Sequence, residues 1–275
     1  MFDQIIECAP LGVFDSGVGG LTVAGEIFRQ LPAEEIVYLG DTAHVPYGPR
    51  AVEELIGFAD EIVDFLISQG AKAIVDACNT TSSVALEFLL SKYDIPIIGV
   101  VEPGVKAALR HTVSGRVGVI ATEATIMSAA HRRKVQQLEP AVQVYGQACP
   151  LFVPLVESGE TNSGKVRQVA REYLAPLMDQ GIDTLILGCT HYPFLVPVLK
   201  EVLGPDVNLV DPAWETVRQL GRLLEEKGLT GRDKGTVSPQ HRFYVTGAVE
   251  PFREVGQRLL GTGYLLERVM QVTLG

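Results

Sequence analysis

One pattern occurs twice in this chain and constrains the fold more than any other feature. In each copy a short apolar run ends in a cysteine, and hydrogen-bonding residues follow it. The first copy ends in ACNTTSS at 77–83 and the second in GCTHYP at 188–193. Each copy leads into a segment with helical character. Cys78 and Cys189 therefore occupy equivalent places in two similar units, 189 − 78 = 111 residues apart.

A second pair of similar segments has almost the same separation. GVFDS begins at Gly12 and GVIAT at Gly118, an offset of 118 − 12 = 106 residues. The near agreement of the two offsets predicts a duplicated fold. In such a fold the two thiols are expected to face each other across a cleft between the halves.

Short apolar runs alternate with longer amphipathic segments, as is typical of parallel α/β proteins. The apolar runs mostly lack polar alternation, so we predict strands that are buried on both faces. The predicted strands are 11–14, 36–39, 73–77, 97–101, 117–121, 142–145, 184–188, 207–210 and 242–246. The predicted helices are 21–30, 52–69, 82–92, 103–111, 124–138, 166–179, 194–203, 213–226 and 251–260.

Turn-forming residues mark the predicted domain boundaries. Proline and acidic residues follow strands near Glu102 and again near Asp211. We predict two pseudo-symmetric, three-layer α/β domains with mainly parallel sheets: a discontinuous first domain at 1–101 and 211–275, and a second at 102–210. Ligands of such sheets bind at the carboxyl ends of the strands, so the active site is expected in the cleft.

Composition argues against several classes of protein. The 275 residues carry a formal net charge of −10, which disfavours a nucleic-acid surface. The most apolar stretch, 184–199, is too short to span a membrane, so no membrane partner is expected. Residues 1–7 are acidic where a secretory signal is basic and then apolar, which indicates a cytoplasmic location. The loop at 227–240 is rich in glycine, threonine and charged residues.

The four cysteines have no paired or metal-type spacing. No zinc site or thioredoxin-like motif is indicated, and the thiols are expected to be free in a reducing compartment. Cys8 and Cys149 have no context that suggests chemistry, and we interpret both as structural. We therefore predict no metal site.

The glycine-rich segment after the first strand is a candidate anion site. Glycines after Asp15 and Ser16 permit a tight turn that exposes N–H groups at a helix start, which suits a carboxylate. Alternatively, Asp15 or Ser16 only caps the helix. The later loop with Tyr47 and Gly48 is, taken alone, more often an ordinary loop than a site.

Position is the argument for the two repeated cysteines. A thiol between a strand end and a helix start is near the positive end of the helix dipole, which favours the thiolate. The alternative for Cys78 is a buried small apolar residue, and the repetition at Cys189 makes that less favourable. His191 is a candidate general acid or charge partner. Without further context, Glu157 reads as a solvated carboxylate.

Taken together, these segments resemble bacterial glutamate racemase. The matching motifs are FDSGVGGLTV at 14–23, GD at 40–41 with PYG at 46–48, ACNT at 77–80, PLVE at 154–157 and LGCTHYPF at 187–194. Several motifs in the same order make the resemblance specific. It implies two α/β domains related by pseudo-twofold symmetry, and activity without pyridoxal phosphate or any other cofactor.

The resemblance also implies roles for individual residues. Cys78 and Cys189 match the two catalytic cysteines, Asp15 assists the first, and Glu157 and His191 assist the second. The positions that match substrate contacts are Asp15, Ser16, Tyr47, Gly48, Asn79, Thr80, Thr190 and His191. L- or D-glutamate is the implied substrate, D-glutamate for peptidoglycan the implied product, and a homodimer the expected assembly.

Two thiols suit the inversion of a carbon centre. The Cα proton of glutamate is weakly acidic, so its removal needs a positioned base and stabilisation of the developing charge. Inversion then needs a base on one face and an acid on the other, and a thiolate and a thiol can exchange these roles. We expect Cys189 to take the proton from L-glutamate while Cys78 delivers one to the opposite face.

One residue departs from the pattern, and two other functions stay open. Asp76, two residues before Cys78, stands where a small or apolar residue is expected, and strand alternation puts it on the face of the thiol. A carboxylate there would oppose thiolate formation. An aspartate racemase or another sibling enzyme would share the cysteines, although Thr190 and His191 with Asn79 and Thr80 favour glutamate. A non-catalytic amino-acid-binding protein is the remaining alternative.

Overall fold

The computed structural model describes residues 9–231, 239–260 and 268–274, which form two β-sheets with helices on their faces. Cys8 and residues 232–238 of the predicted loop lie outside the described residues. The strands are β1 (Leu11–Asp15), β2 (Ile36–Gly40), β3 (Ala73–Asp76), β4 (Ile97–Gly99), β5 (Arg116–Ala121), β6 (Gln143–Ala148), β7 (Thr184–Gly188), β8 (Asn208–Val210), β9 (Arg242–Val245) and β10 (Val269–Gln271).

Helices connect the strands, as parallel pairing requires. They are α1 (Leu21–Gln30), α2 (Val52–Ser68), α3 (Asn79–Val84), α4 (Leu86–Lys92), α5 (Val101–His111), α6 (Glu123–Ser128), α7 (Ala130–Leu138), α8 (Phe152–Glu157), α9 (Gly164–Asp179), α10 (Val196–Leu203), α11 (Pro212–Lys227) and α12 (Val249–Leu260). None of the described helices combines the length and the apolar character needed to cross a bilayer.

The two sheets repeat one strand order. The larger sheet runs β10-β9-β2-β1-β3-β4 and the smaller β6-β5-β7-β8, with every pairing parallel. The last four strands of the first series and the four of the second therefore have the same topology, with the earliest strand between the second and the third. This arrangement confirms the predicted α/β fold with parallel sheets.

Strand register explains the two sequence offsets. Gly12 lies opposite Ile74, and Gly118 lies opposite Leu185. The first members are 118 − 12 = 106 residues apart and the second 185 − 74 = 111, so both offsets describe one register. A cysteine follows four residues after each second member. The repeat thus delivers two thiols to the same relative point of the two sheets.

Helices cover both faces of each sheet and bury its apolar strands. On the larger sheet, α1 and α11 pack on one face and α2 with α4 on the other. On the smaller sheet, α9 and α10 cover one face while α5 and α7 cover the other. Each half is therefore three layers thick, as predicted. The domain boundaries predicted at residues 101 and 211 remain a prediction.

The main differences from the sequence prediction lie in helices near the cysteines. The segment predicted as one helix at 82–92 begins earlier and is interrupted at Ala85, so that α3 is only six residues long. The helix predicted at 124–138 breaks at Ala129, whose φ of 53° is left-handed. A 3₁₀ turn, Tyr192–Leu195, precedes α10. Strand β10 was not predicted, because only its pairing with β9 makes this short segment a strand.

Candidate active site

Both repeated cysteines lie buried at the carboxyl ends of equivalent strands. Cys78 follows β3 as the N-cap residue of α3, and Cys189 directly follows β7. The residues are 4% and 7% exposed, respectively. Strand ends of parallel sheets are the usual location of active sites in this class of fold. The structure thus places both predicted thiols where such chemistry is expected.

Carboxyl groups surround Cys78. Burial, followed by the charges of Asp15 and Asp76, raises the pKa of its thiol, and the backbone N–H groups of Thr81 and Ser16 act in the opposite direction. The Cys78 side chain packs against the buried ring of Tyr47. Since a negative charge on this sulfur meets negative neighbours, the environment favours the neutral thiol.

Asp15 joins the two halves. It ends β1 and is buried, with Oδ1 accepting a hydrogen bond from the backbone N–H of Gly17 at 3.0 Å. Oδ2 accepts one from the hydroxyl of Thr190, on the loop of the second thiol, at 3.3 Å. Burial raises the pKa of Asp15, while the nearby His191 acts to lower it.

Cys189 belongs to a chain of three polar groups. Its sulfur lies 3.8 Å from Nδ1 of His191, and Nε2 of the same ring lies 3.1 Å from Oε1 of Glu157. Glu157 is the last residue of α8, and its side chain is 41% exposed, whereas the histidine is buried. A thiol, an imidazole and a carboxylate in this order are an arrangement that orients and activates a thiol.

The charge of His191 follows from its two partners. Burial lowers its pKa, but the hydrogen bonds to Cys189 and Glu157 raise it more strongly, to about 10. The imidazole is therefore a cation at neutral pH. A neighbouring imidazolium stabilises a thiolate, so the environment of the second cysteine differs in sign from that of the first.

Close packing between the halves encloses the site. A Cβ on Gly19 would lie 2.2 Å from Oγ1 of Thr190, so only glycine permits the first glycine-rich loop to approach this far. The hydroxyl of Thr80 lies 3.0 Å from that of Thr122. The carbonyl of Gly48 accepts a hydrogen bond from the N–H of Ala124 at 3.2 Å. These contacts bring residues from both halves to one compartment.

The remaining predicted binding residues lie around the same compartment. Asn79 is buried in the first turn of α3, and its Oδ1 has no hydrogen-bond partner among the described residues. Together with Cys189 and Thr190 it borders a small cavity between the halves. Ser16 is half-buried after β1. The structure thus gathers all the predicted site residues, from segments up to 176 positions apart in sequence (191 − 15).

Several participants were not identified from the sequence as site residues. Asp41 accepts a hydrogen bond from the Tyr47 hydroxyl and another from Thr246 Oγ1 at 2.7 Å, which fixes the tyrosine beside Cys78. Thr122 supports Thr80 across the halves. Only the conserved geometry of the folded chain brings these groups together, and no local sequence signal distinguishes them from ordinary loop residues.

A larger cavity lies elsewhere. It is bounded by α5 and α11 and lined by charged side chains around buried Glu215, which pairs with Arg110 at 2.6 Å and Arg218 at 2.5 Å. It shares no lining residue with the cysteine site. Across residues 9–231, 239–260 and 268–274, no three His, Cys, Asp or Glu side chains are grouped so as to hold a metal ion.

Comparison with known proteins connects this geometry to a family. Residues 12–220 match the family model described as Asp/Glu/Hydantoin racemase. A glutamate racemase of Desulforudis audaxviator is 49% identical over 255 residues, covering 91% of this chain and 93% of the relative.

Solved structures give the same result. A glutamate racemase isoform from Bacillus anthracis superposes with a TM-score of 0.92 at 43% identity, covering 97% of this chain and 98% of its own. Glutamate racemase from Francisella tularensis, crystallised in complex with D-glutamate, gives a TM-score of 0.90 at 39% identity, with 98% of each chain covered. Both cysteines and their described neighbours up to residue 191 lie inside the matched segment.

Proposed function

This chain belongs to the Asp/Glu/Hydantoin racemase family, and from that premise we propose that it interconverts L- and D-glutamate by proton transfer at Cα. The family and the isomerase class agree with the sequence prediction. The observation that carries the two-thiol mechanism is the pair of buried cysteines at matching strand ends with surroundings of opposite charge.

The proposed reaction assigns one face of the substrate to each thiol. Cys189, as a thiolate beside the His191 cation, removes the Cα proton of L-glutamate, so that a Cα–H bond breaks and an S–H bond forms. Cys78, as a thiol, gives its proton to the opposite face of the resulting carbanion. D-glutamate leaves, Cys189 is then a thiol and Cys78 a thiolate, and the reverse reaction starts from that state.

The supporting residues have separate tasks in this proposal. Glu157 holds the ring of His191 and its positive charge beside Cys189. Asp15 serves the Cys78 side and reaches the loop of Thr190. The residues proposed to contact the substrate are Asp15, Ser16, Tyr47, Gly48, Asn79, Thr80, Thr190 and His191. The unpartnered Oδ1 of Asn79 is a suitable acceptor for the substrate ammonium group.

Deuterium incorporation tests the mechanism. Early in the reaction of L-glutamate in deuterium oxide, D-glutamate is expected to carry deuterium at Cα, because Cys78 exchanges its proton with solvent. The remaining L-glutamate is expected to stay largely protiated, since Cys189 either returns the original proton or the reaction proceeds. Chiral chromatography with mass spectrometry measures both. Product that retains the substrate proton would instead indicate a single base.

Substrate selectivity tests the assignment within the family. We expect a much higher kcat/KM for L-glutamate than for L-aspartate, because one methylene changes where the distal carboxylate lies. Comparable values for the two amino acids would move the assignment to a sibling aspartate racemase. The scheme uses no cofactor, so activity should survive dialysis against EDTA and hydroxylamine.

We also propose the setting of the reaction. The acidic residues 1–7 support a cytoplasmic location, and the family resemblance supports a role in supplying D-glutamate for peptidoglycan. A homodimer is proposed on the same resemblance. Light scattering on the purified chain tests the assembly, and a monomer at working concentration would contradict it.

A further inference from the structure

Asp76 is a buried carboxyl group that the mechanism above does not use. It is the last residue of β3 and is 0% exposed. Its Oδ1 accepts two hydrogen bonds, from the backbone N–H of Cys78 at 3.2 Å and from the hydroxyl of Thr81 at 2.6 Å. Its Oδ2 is buried and has no hydrogen-bond partner among the described residues.

The second half has no counterpart of this carboxyl. The 111-residue offset relates Asp76 to position 187, which is a leucine that is 1% exposed (187 − 76 = 111). An apolar side chain is therefore compatible with the repeated strand end, and the fold of the unit does not require an acid there. The carboxyl of Asp76 is specific to the surroundings of Cys78.

The hydrogen bonds fix the start of α3. Cys78 is the N-cap residue of this helix, and its side chain makes no capping hydrogen bond. Asp76 instead binds the N–H of Cys78 and the side chain of a residue in the first turn, as capping side chains do at helix starts. Loss of the acceptor would free the backbone that holds the sulfur.

The surroundings of Asp76 favour the neutral acid. The titratable groups that act on it are Asp15, on the adjacent strand β1, and Cys78. Strand β4 (IIG) and helix α3 (NTTSSV), which also pack against β3, carry no titratable side chain. Burial and the charge of Asp15 raise the pKa of Asp76. Since two buried carboxylates disfavour each other's ionisation and only Asp15 has a nearby cation, the proton resides on Asp76.

We propose that Asp76 is a positioning residue for Cys78: as a neutral carboxylic acid it holds the cysteine at the start of α3 without adding a second negative charge beside the thiol. This inference rests on the proposed racemisation for its kinetic consequences. The protonation state and the hydrogen bonds are properties of the resting protein.

Three substitutions separate charge from hydrogen bonding. Asp76→Asn keeps an oxygen acceptor and neutrality, so kcat is expected within about threefold of the wild type, the effect of a modest shift in a retained hydrogen bond. Asp76→Ala removes the acceptor and is expected to lower kcat roughly 10- to 100-fold with little change in KM, the cost of a misplaced catalytic group. Thr81→Val removes one of the two hydrogen bonds and is expected to lie between them.

The alkaline side of the pH profile gives a second measurement. Ionisation of Asp76 at high pH would place a carboxylate beside Cys78, so activity of the wild type should fall as pH rises through that ionisation. Asp76→Asn cannot ionise there, and its alkaline limb should lie at higher pH. A purely structural side chain would leave the limb unchanged.

Infrared spectroscopy tests the protonation state without substrate. The difference spectrum between wild type and Asp76→Asn at neutral pH is expected to contain the C=O stretch of a buried carboxylic acid. Absence of that band, or a loss of kcat in Asp76→Asn as large as in Asp76→Ala, would show that the ionised form is used and overturn the proposal. So would wild-type kcat in a folded Asp76→Ala variant. An inactive wild type with the band present would refute only the proposed function.

Discussion

Cys78 and Cys189 occupy matching positions in two copies of one strand order, but their neighbours carry opposite charge. The first thiol has Asp15 and Asp76 nearby, and its pKa is raised. The second lies 3.8 Å from His191, a cation at neutral pH that Glu157 supports. The duplicated backbone therefore supplies symmetric positions for two thiols, and the side chains around them make the two positions electrostatically different.

This difference indicates which thiol is the base in the resting protein. A thiolate is most stable beside the imidazolium, so Cys189 is proposed to start with L-glutamate and Cys78 with the proton. Enantiomers have equal free energy in water, so kcat/KM must be equal in the two directions at every pH. The asymmetry of the site can therefore appear only in the separate values of kcat and KM.

The largest expected effect is the loss of either thiol. Cys78→Ala and Cys189→Ala should each lower racemisation by a factor on the order of 10³ or more, because each removes the acid or base of one face. Chiral chromatography of product from L- and D-glutamate measures the loss.

Cys149 provides the matched control. It is equally buried, in the apolar core of the second half, and belongs to no polar chain at the site. Cys149→Ala is expected to racemise at near wild-type rates. Near-normal racemisation by Cys78→Ala would mean that the symmetry of the two positions is structural only.

The next effect concerns the contact between the halves. Gly19→Ala places a Cβ 2.2 Å from Thr190 Oγ1 and 2.7 Å from the ring of His191, so the loops must separate. We expect kcat to fall about 100-fold, the cost of an ångström-scale displacement of catalytic groups. Gly17→Ala, in the same loop, has its nearest neighbour at 3.8 Å and should stay near wild type. Equal rates for both variants would show that this contact does not set the geometry.

A smaller effect should follow from the exposed end of the polar chain. Glu157→Gln removes a partner that raises the pKa of His191 to about 10, so the cationic form should be lost at lower pH. Because the cation exists below this pKa, the alkaline limb of activity is expected to move downward while activity near neutrality falls only several-fold, roughly 1 kcal/mol for a partly exposed pair. An unchanged alkaline limb in a full pH profile would contradict the role of Glu157.

The same shift affects stability. The folded pKa of His191 lies above its ordinary value of 6.5, so its contribution to stability is complete below that value and is lost as pH rises through about 10. Thermal unfolding of Glu157→Gln should therefore differ from wild type most below pH 6.5. The difference should shrink at alkaline pH.

The smallest expected effect lies at the edge of the second position. Arg258, an exposed residue of α12, donates a hydrogen bond from Nη1 to the carbonyl of Glu157 at 3.1 Å and so joins the halves behind His191. Arg258→Ala is expected to change kcat/KM by no more than about fivefold, the effect of one exposed hydrogen bond. A loss approaching that of Gly19→Ala would show that closure depends on this contact.

The repeat, the strand positions and the identity of the two thiols could be predicted from sequence. Branched apolar runs read as buried strands whatever surrounds them, and equal offsets imply equal register. Short helices were harder. The segments near Ala85 and Ala129 have continuous helical character, but the chain breaks there to place α3 and α6 against each other, which is a tertiary requirement.

The sequence by itself determined that two matched thiols lie at the carboxyl ends of parallel strands, because strand order and register follow from local patterns. Only the tertiary structure decided their chemistry. The charge beside each sulfur comes from residues far away in sequence, such as Asp15 for Cys78 and Glu157 for Cys189 through His191. Burial then sets the strength of those charges, since interactions between groups removed from water are weakly screened, and burial is a property of the folded chain alone.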